Sequence, residues 1–133
     1  MLTQKTPGGS LYPYYYKGGE LTGLHYGSFF DDEAGLLALM KAEEEFILIA
    51  NQHLPLWIDF YETKLTDKIL IEFSKSMNRI SKHITKLALV GCSARDRWRV
   101  RHLMKKLDIE LPMPLKFFND PEEAKTWLVS ERG

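Results

Sequence analysis

The sequence predicts an α/β domain built on a mostly parallel five-stranded sheet, with an antiparallel N-terminal hairpin and about four helices. Three observations predict it. Ile69, Phe73, Met77, Ile80 and Ile84 recur every three or four residues between two strand-like runs, Leu56–Tyr61 and Lys86–Gly91. That spacing gives a helix one apolar face, and the strand–helix–strand order implies a parallel, right-handed crossover. The same alternation continues on both sides of this unit, as in a sheet covered by helices. Finally, Gly18-Gly19 between two aromatic or apolar runs signals a tight antiparallel turn.

Residues 1–10 are polar, contain Pro7-Gly8-Gly9 and read as a flexible leader; residues 11–133 read as a single domain. Leu11 to Lys17 has the aromatic content of a strand, but Pro13 cannot donate to a central ladder, so this is an edge strand or one that starts after the proline. Its tyrosines read as half-buried hairpin rings. Glu20 to Gly27 returns antiparallel. Ser28, with Asp31 three positions on, is a candidate helix cap, and Asp31, Asp32 and Glu33 suit the positive end of a helix dipole. The helix that follows turns Leu36, Leu37, Met40, Phe46 and Ile47 inward and Lys41, Glu43, Glu44 and Glu45 outward. Adjacent helix positions diverge by about 100°, so the three carboxylates form a solvated face rather than a metal or acid–base cluster. The helix ends between Ala50 and His53, ahead of Pro55.

Thr63 or Thr66 caps the central helix, which leaves Lys75, Asn78, Arg79 and Lys82 in water. After the second strand of the central unit, Gly91-Cys92-Ser93 turns into a helix over 94–107, capped by Ser93 with Asp96 three positions on. This helix carries Arg95, Arg97, Arg99, Arg101, Lys105 and Lys106, and Pro112 and Pro114 end it. Leu115–Phe118 is the last strand. Asn119-Asp120 then caps a closing helix with Pro121 at its first position, running to Val129.

Eighteen acidic and eighteen basic side chains cancel, so no overall field recruits nucleic acid, and none is expected as a partner. The single cysteine, Cys92, excludes an internal disulfide, and no Cys/His spacing suits a metal. No apolar run is long enough for a membrane span, and the N-terminus lacks the apolar stretch of a signal peptide. A cytoplasmic location without a cofactor is the expectation.

Nucleophilic catalysis needs a base beside the nucleophile. Cys92 sits in a strand-to-helix turn that would lower a thiol pKa, yet nothing brings His25, His53, His83 or His102 to it, so it reads as a buried structural thiol. Gly91-Cys92-Ser93-Ala94-Arg95 presents free N–H groups, a hydroxyl and a guanidinium at a helix start, an arrangement that suits an anion but lacks a phosphate-loop spacing. The most informative surface is the basic helix. Val100, Leu103, Met104 and Leu107 share a stripe that faces the sheet. Trp98 therefore points outward among Arg101, His102 and Lys105, with Arg95 and Arg97 nearby, as a candidate partner-binding surface.

The strand Trp57-Ile58-Asp59-Phe60, the Leu89-Val90-Gly91 exit, the following helix with its Trp, and the close Phe117-Phe118-Asn119-Asp120-Pro121-Glu122-Glu123-Ala124-Lys125-Thr126-Trp127-Leu128 together resemble the STAS-like (SpoIIAA-like) family over about 11–130. The resemblance implies a cytoplasmic, non-enzymatic regulatory or binding domain that acts through a protein partner or self-association. Anti-sigma-factor antagonists of that family carry a phosphorylatable Ser in an Asp-Ser-x-Gly-like turn. The matching stretch here, Asp59 to Asp67, keeps Asp59 but lacks the Ser and the Gly, so Thr63 and Thr66 are the switch candidates beside Ser93. The family's second suggestion is a small apolar, lipid-like ligand held between helices and sheet.

Overall fold

In the computed structural model, which describes residues 4–130, the chain begins with an antiparallel ribbon of β1 (Gln4–Lys5) and β2 (Leu11–Tyr12). The main sheet follows in chain order: β3 (Tyr14–Tyr16), β4 (Gly19–His25), β5 (Leu54–Asp59), β6 (Ile84–Val90) and β7 (Leu115–Phe118). β3 and β4 are antiparallel, and every later pairing is parallel. The helices α1 (Glu33–Ala50), α2 (Asp67–Arg79) and α3 (Ala94–Lys106) link the parallel strands, and α4 (Pro121–Val129) closes the chain. Crossovers that each step one strand in the same direction place their helices on one face. Accordingly α1 packs on α2 and α2 on α3, while α4 lies across the opposite face.

The core is thereby split by the sheet. Leu87 and Leu89 of β6 join the three-helix side, and Ala88 and Val90 the α4 side; all four are fully buried. This two-sided burial is what the uninterrupted apolar run Leu87–Val90 requires. On the three-helix side, Leu24, Ile58, Phe60 and Phe73 fill the space between helices and sheet.

Several elements differ from the sequence expectation. Residues 4–10, read as part of a flexible leader, form the first strand of the ribbon and its turn, and Thr6 is buried against α1; residues 1–3 lie outside the described residues. The run Leu11–Lys17 divides at Pro13, with Tyr12 paired to Gln4 and Tyr14 to Leu21. The tight turn is Lys17-Gly18, both left-handed, rather than Gly18-Gly19, because Tyr16 pairs with Gly19. Asp32, not Ser28, caps α1 by accepting from the Gly35 amide at 3.0 Å. Ile84 opens β6 after a short 3₁₀ turn at Ser81–His83, so the central helix is shorter than its apolar spacing implied.

The largest difference is Glu43. Its charge predicts a place on the solvated face, yet it has no exposed surface. Glu43 shares the stripe of Leu36, Met40 and Ile47, and the ribbon covers it: Thr6 Oγ1 donates to its Oε2 at 3.1 Å. The Gly8 amide donates as well, whereas Oε1 is buried without a partner among the described residues. Burial outweighs these hydrogen bonds and pushes the carboxyl up to about 6. Glu44, one position on, binds Arg79 through two hydrogen bonds of 2.9 Å.

Candidate functional site

The parallel strands all end at one edge of the sheet, where open α/β folds hold their sites. Two glycines pack the loops there. A Cβ on Gly27 or on Gly91 would approach the Tyr61 backbone to 2.8 Å, so the exit of β5 fits between the exits of β4 and β6 only without side chains. Asp59 Oδ1 accepts from the Tyr61 amide at 2.8 Å, and Ser28 N donates to the Tyr61 carbonyl at 2.7 Å. Ser28, Phe30 and Glu62 adopt left-handed φ here, and the rings of Phe30 and Tyr61 are exposed. Neither aromatic stood out in the sequence, because local pattern reads both as strand or helix flanks.

Thr63 and Thr66 have separate jobs. Thr66 caps α2, accepting from the Ile69 amide at 3.2 Å while its hydroxyl donates to Glu33. Thr63 instead fastens two loops, donating to the Tyr26 carbonyl at 2.7 Å and accepting from the Phe29 amide at 3.2 Å. Both threonines line a shallow cleft with Arg95, Asp96 and Arg99. Ser93 caps α3 as expected, accepting from the Asp96 amide at 3.1 Å. The cleft is largely neutralised from within: Arg99 pairs with Asp67 at 2.6 Å and Asp96 at 3.0 Å, and donates to the Leu65 carbonyl.

The six cations of α3 therefore do not form one patch. Arg99 is turned toward α2. Arg97 turns toward β7, donating to the Cys92 carbonyl at 3.2 Å and to Asn119, and Arg101 joins it over the Phe117 ring at 5.2 Å. The stripe Arg95, Trp98, His102, Lys105 stands in solvent, with Lys106 exposed beside it. Trp98 is 63% exposed and stacks on His102, with ring centroids 4.7 Å apart and planes 9° from parallel. The side chains of Arg95 and Lys105 make no hydrogen bond or ion pair among the described residues. Beside this stripe a groove of about 430 Å³ runs between α3 and residues 108–115, lined by apolar Met104, Ile109 and Leu111 and by charges of both signs, Arg101 and Lys105 with Asp108 and Glu110.

Cys92 is buried, and burial, with the nearby Asp96 adding to it against Arg97, pushes its thiol up to about 12. It stays a thiol near neutrality, so the lowered thiol pKa that its turn suggested does not arise. Among the described residues no cluster of three His, Cys, Asp or Glu side chains is placed to hold a metal ion, and no helix is long and apolar enough to cross a membrane. Compared with known proteins, the chain matches no family model, no curated protein and no solved structure.

Proposed function

We propose that this chain is a non-catalytic regulatory or protein-interaction module of the STAS-like type, which docks a protein partner on the solvent stripe of α3. The observation that carries the reading is the Trp98–His102 stack held in solvent between Arg95 and Lys105. A large aromatic side chain in water gives up apolar burial that only a partner restores, and Trp and Arg dominate the energetics of protein interfaces. The flanking cations select a partner segment bearing carboxylates, with an apolar side chain for the indole or the neighbouring groove. The chain-order sheet, with three helices on one face and one on the other, supports the STAS-like part of the proposal. The tied-up Arg97 and Arg99 argue against a phosphate-tracking surface, and the high thiol pKa of Cys92 argues against a thiolate enzyme. A cytoplasmic setting belongs to the same proposal.

Two measurements test it. Acrylamide quenching of the wild type and of Trp98→Phe should show that substitution removes the red-shifted, readily quenched part of the emission; an unchanged quenching profile places the indole in the core and ends the proposal. Then the immobilised wild type, the exposed-aromatic control Tyr15→Ala, and a triple variant Arg95→Glu, Trp98→Ala, Lys105→Glu are offered an extract of the source organism. A protein held by the first two and lost by the third supports docking, whereas three identical sets refute it. Sedimentation of the same variants reports whether the partner is a second copy.

The second reading, a carrier of a small apolar ligand, draws on a groove of about 730 Å³ between α1 and α2 that includes Leu37 and Ile71 in its lining. The rest of its lining is charged, Lys41, Glu45, Lys68 and Lys75 among it, which is why it ranks below docking. A lipid-like mass retained in native mass spectrometry and lost in Ile71→Glu favours the carrier.

A further inference from the structure

On the α4 face of the sheet, away from the α3 surface, a small cleft of about 250 Å³ opens between the N-terminal ribbon and α4. Its geometry begins with Gly23, which pairs in register with Trp57 on the neighbouring strand. A Cβ at Gly23 would collide with the indole nitrogen of Trp57, so the missing side chain lets the indole lie across β4 as the floor. His25 meets that indole edge-on, centroids 5.4 Å apart, at the exposed side of the cleft. Tyr14 and the ribbon residues Gly9, Ser10 and Leu11 line the remainder.

The cation in this lining is poorly matched. Lys125 brings a cation into an aromatic enclosure, its Nζ 5.0 Å from the Trp57 ring and 5.4 Å from that of Tyr14. Its carboxylate neighbour, Glu122, stands at 3.8 Å, and the lysine side chain is 15% exposed against 66% for the glutamate. Glu122 is also engaged elsewhere, accepting from the Tyr16 hydroxyl at 2.7 Å. Ring faces stabilise the ammonium in part, but a long contact to an exposed carboxylate leaves the charge under-matched.

We propose that this cleft binds a small organic acid with a planar apolar body. The carboxylate is held by the Lys125 ammonium, and the body lies against the Trp57 indole with His25 at the mouth. The orientation follows from ring electrostatics. A ring face repels an anion and accepts an apolar or aromatic surface, so charge goes to Lys125 and body to Trp57. Size follows from volume: at about 250 Å³ the cleft is smaller than the pockets that enclose drug-sized ligands, which suits a single-ring acid such as benzoate. The site owes nothing to the docking surface proposed on α3, and either one stands if the other fails.

The test is an amide and indole NMR titration of the full chain with sodium benzoate, using benzylamine as the cationic counterpart of the same body. Benzoate should shift the Ser10, Leu11, Gly23 and Trp57 resonances saturably, with Kd near about 1 mM for a ligand of this size. Lys125→Met keeps the packed stem and removes the charge, and should weaken binding roughly tenfold to a hundredfold. His25→Glu sets a like charge at the exposed mouth and should weaken it several-fold, which gives a second arm should Lys125→Met disturb the rings. No saturable shift at these residues overturns the proposal. So does benzylamine binding as well as benzoate, or benzoate affinity left unchanged by both substitutions.

Discussion

Replacing Glu43 by Gln should raise stability near neutral pH and remove a pH dependence that the wild type carries. The carboxyl lies fully buried on the core stripe of α1 under the ribbon, with its group pushed from the ordinary 4.5 up to about 6. Because the folded value is the higher one, the stabilising contribution is complete below pH 4.5 and is lost as pH rises through about 6. At about 1.36 kcal/mol for each tenfold change in proton affinity, ionisation costs the folded state about 2 kcal/mol relative to the unfolded chain. Gln carries no such penalty. Its oxygen still accepts from Thr6 or Gly8, although one of its N–H groups lacks a clear partner, at a cost of about 1 kcal/mol. The variant should therefore be more stable than the wild type by about 1 kcal/mol near pH 7.5, and less stable by about the same amount near pH 4.5. Urea unfolding at both pH values measures this, and the difference between the two proteins cancels every other titrating group. Tyr26, which burial first and Glu43 next push well above 10, stays neutral throughout. Parallel stability curves for the two proteins would mean that Glu43 is hydrated beneath the ribbon, and the reasoning fails.

Other perturbations read the remaining links. Leu89 has no exposed surface and sits between Ile58 and Phe117 in register, so Leu89→Asp buries an unpaired charge in the central strand. It should abolish cooperative folding; a soluble variant that melts near the wild-type temperature contradicts the strand assignment. Thr66→Ala removes the α2 cap and should lower stability by about 1 kcal/mol in urea unfolding. Thr63→Ala breaks the tie between two loops instead, and should increase amide exchange at Phe29 and Tyr61 while leaving the first turn of α2 protected. The reverse pattern would show that Thr63, not Thr66, is the cap.

The parallel sheet was legible because each crossover writes its own periodicity into adjacent residues: Ile69, Phe73 and Met77 for the helix, Leu87 to Val90 for a strand buried on both sides. What the sequence concealed depends on residues far apart. The spacing Leu36, Met40, Glu43, Ile47 places Glu43 on the core stripe, and only its chemical type argued otherwise. The covering group is Thr6, 37 positions away, in a stretch whose Pro and Gly content reads as disordered. The cleft around Trp57 was hidden for the same reason, since Ser10, His25, Trp57 and Lys125 come from four separate segments and each looks ordinary in its own window.

Helix α3 shows when a local pattern suffices. Its apolar stripe fixed the rotation about the helix axis, and that rotation alone set Trp98 outward. It did not sort the cations, because sorting them requires the neighbours. α2 and its capping loop take Arg99 through Asp67 and Leu65, and the β7 edge takes Arg97 and Arg101 through Asn119 and Phe117. Among the described residues, the side chains of Arg95, Trp98, His102 and Lys105 make no hydrogen bond or ion pair with another element, although Arg95 adds to the positive field at Asp67. A surface defined in this way, by the exhaustion of internal partners rather than by composition, is where an external partner adds most. Reversing Arg95 and Lys105 should therefore change recognition while leaving stability near that of the wild type.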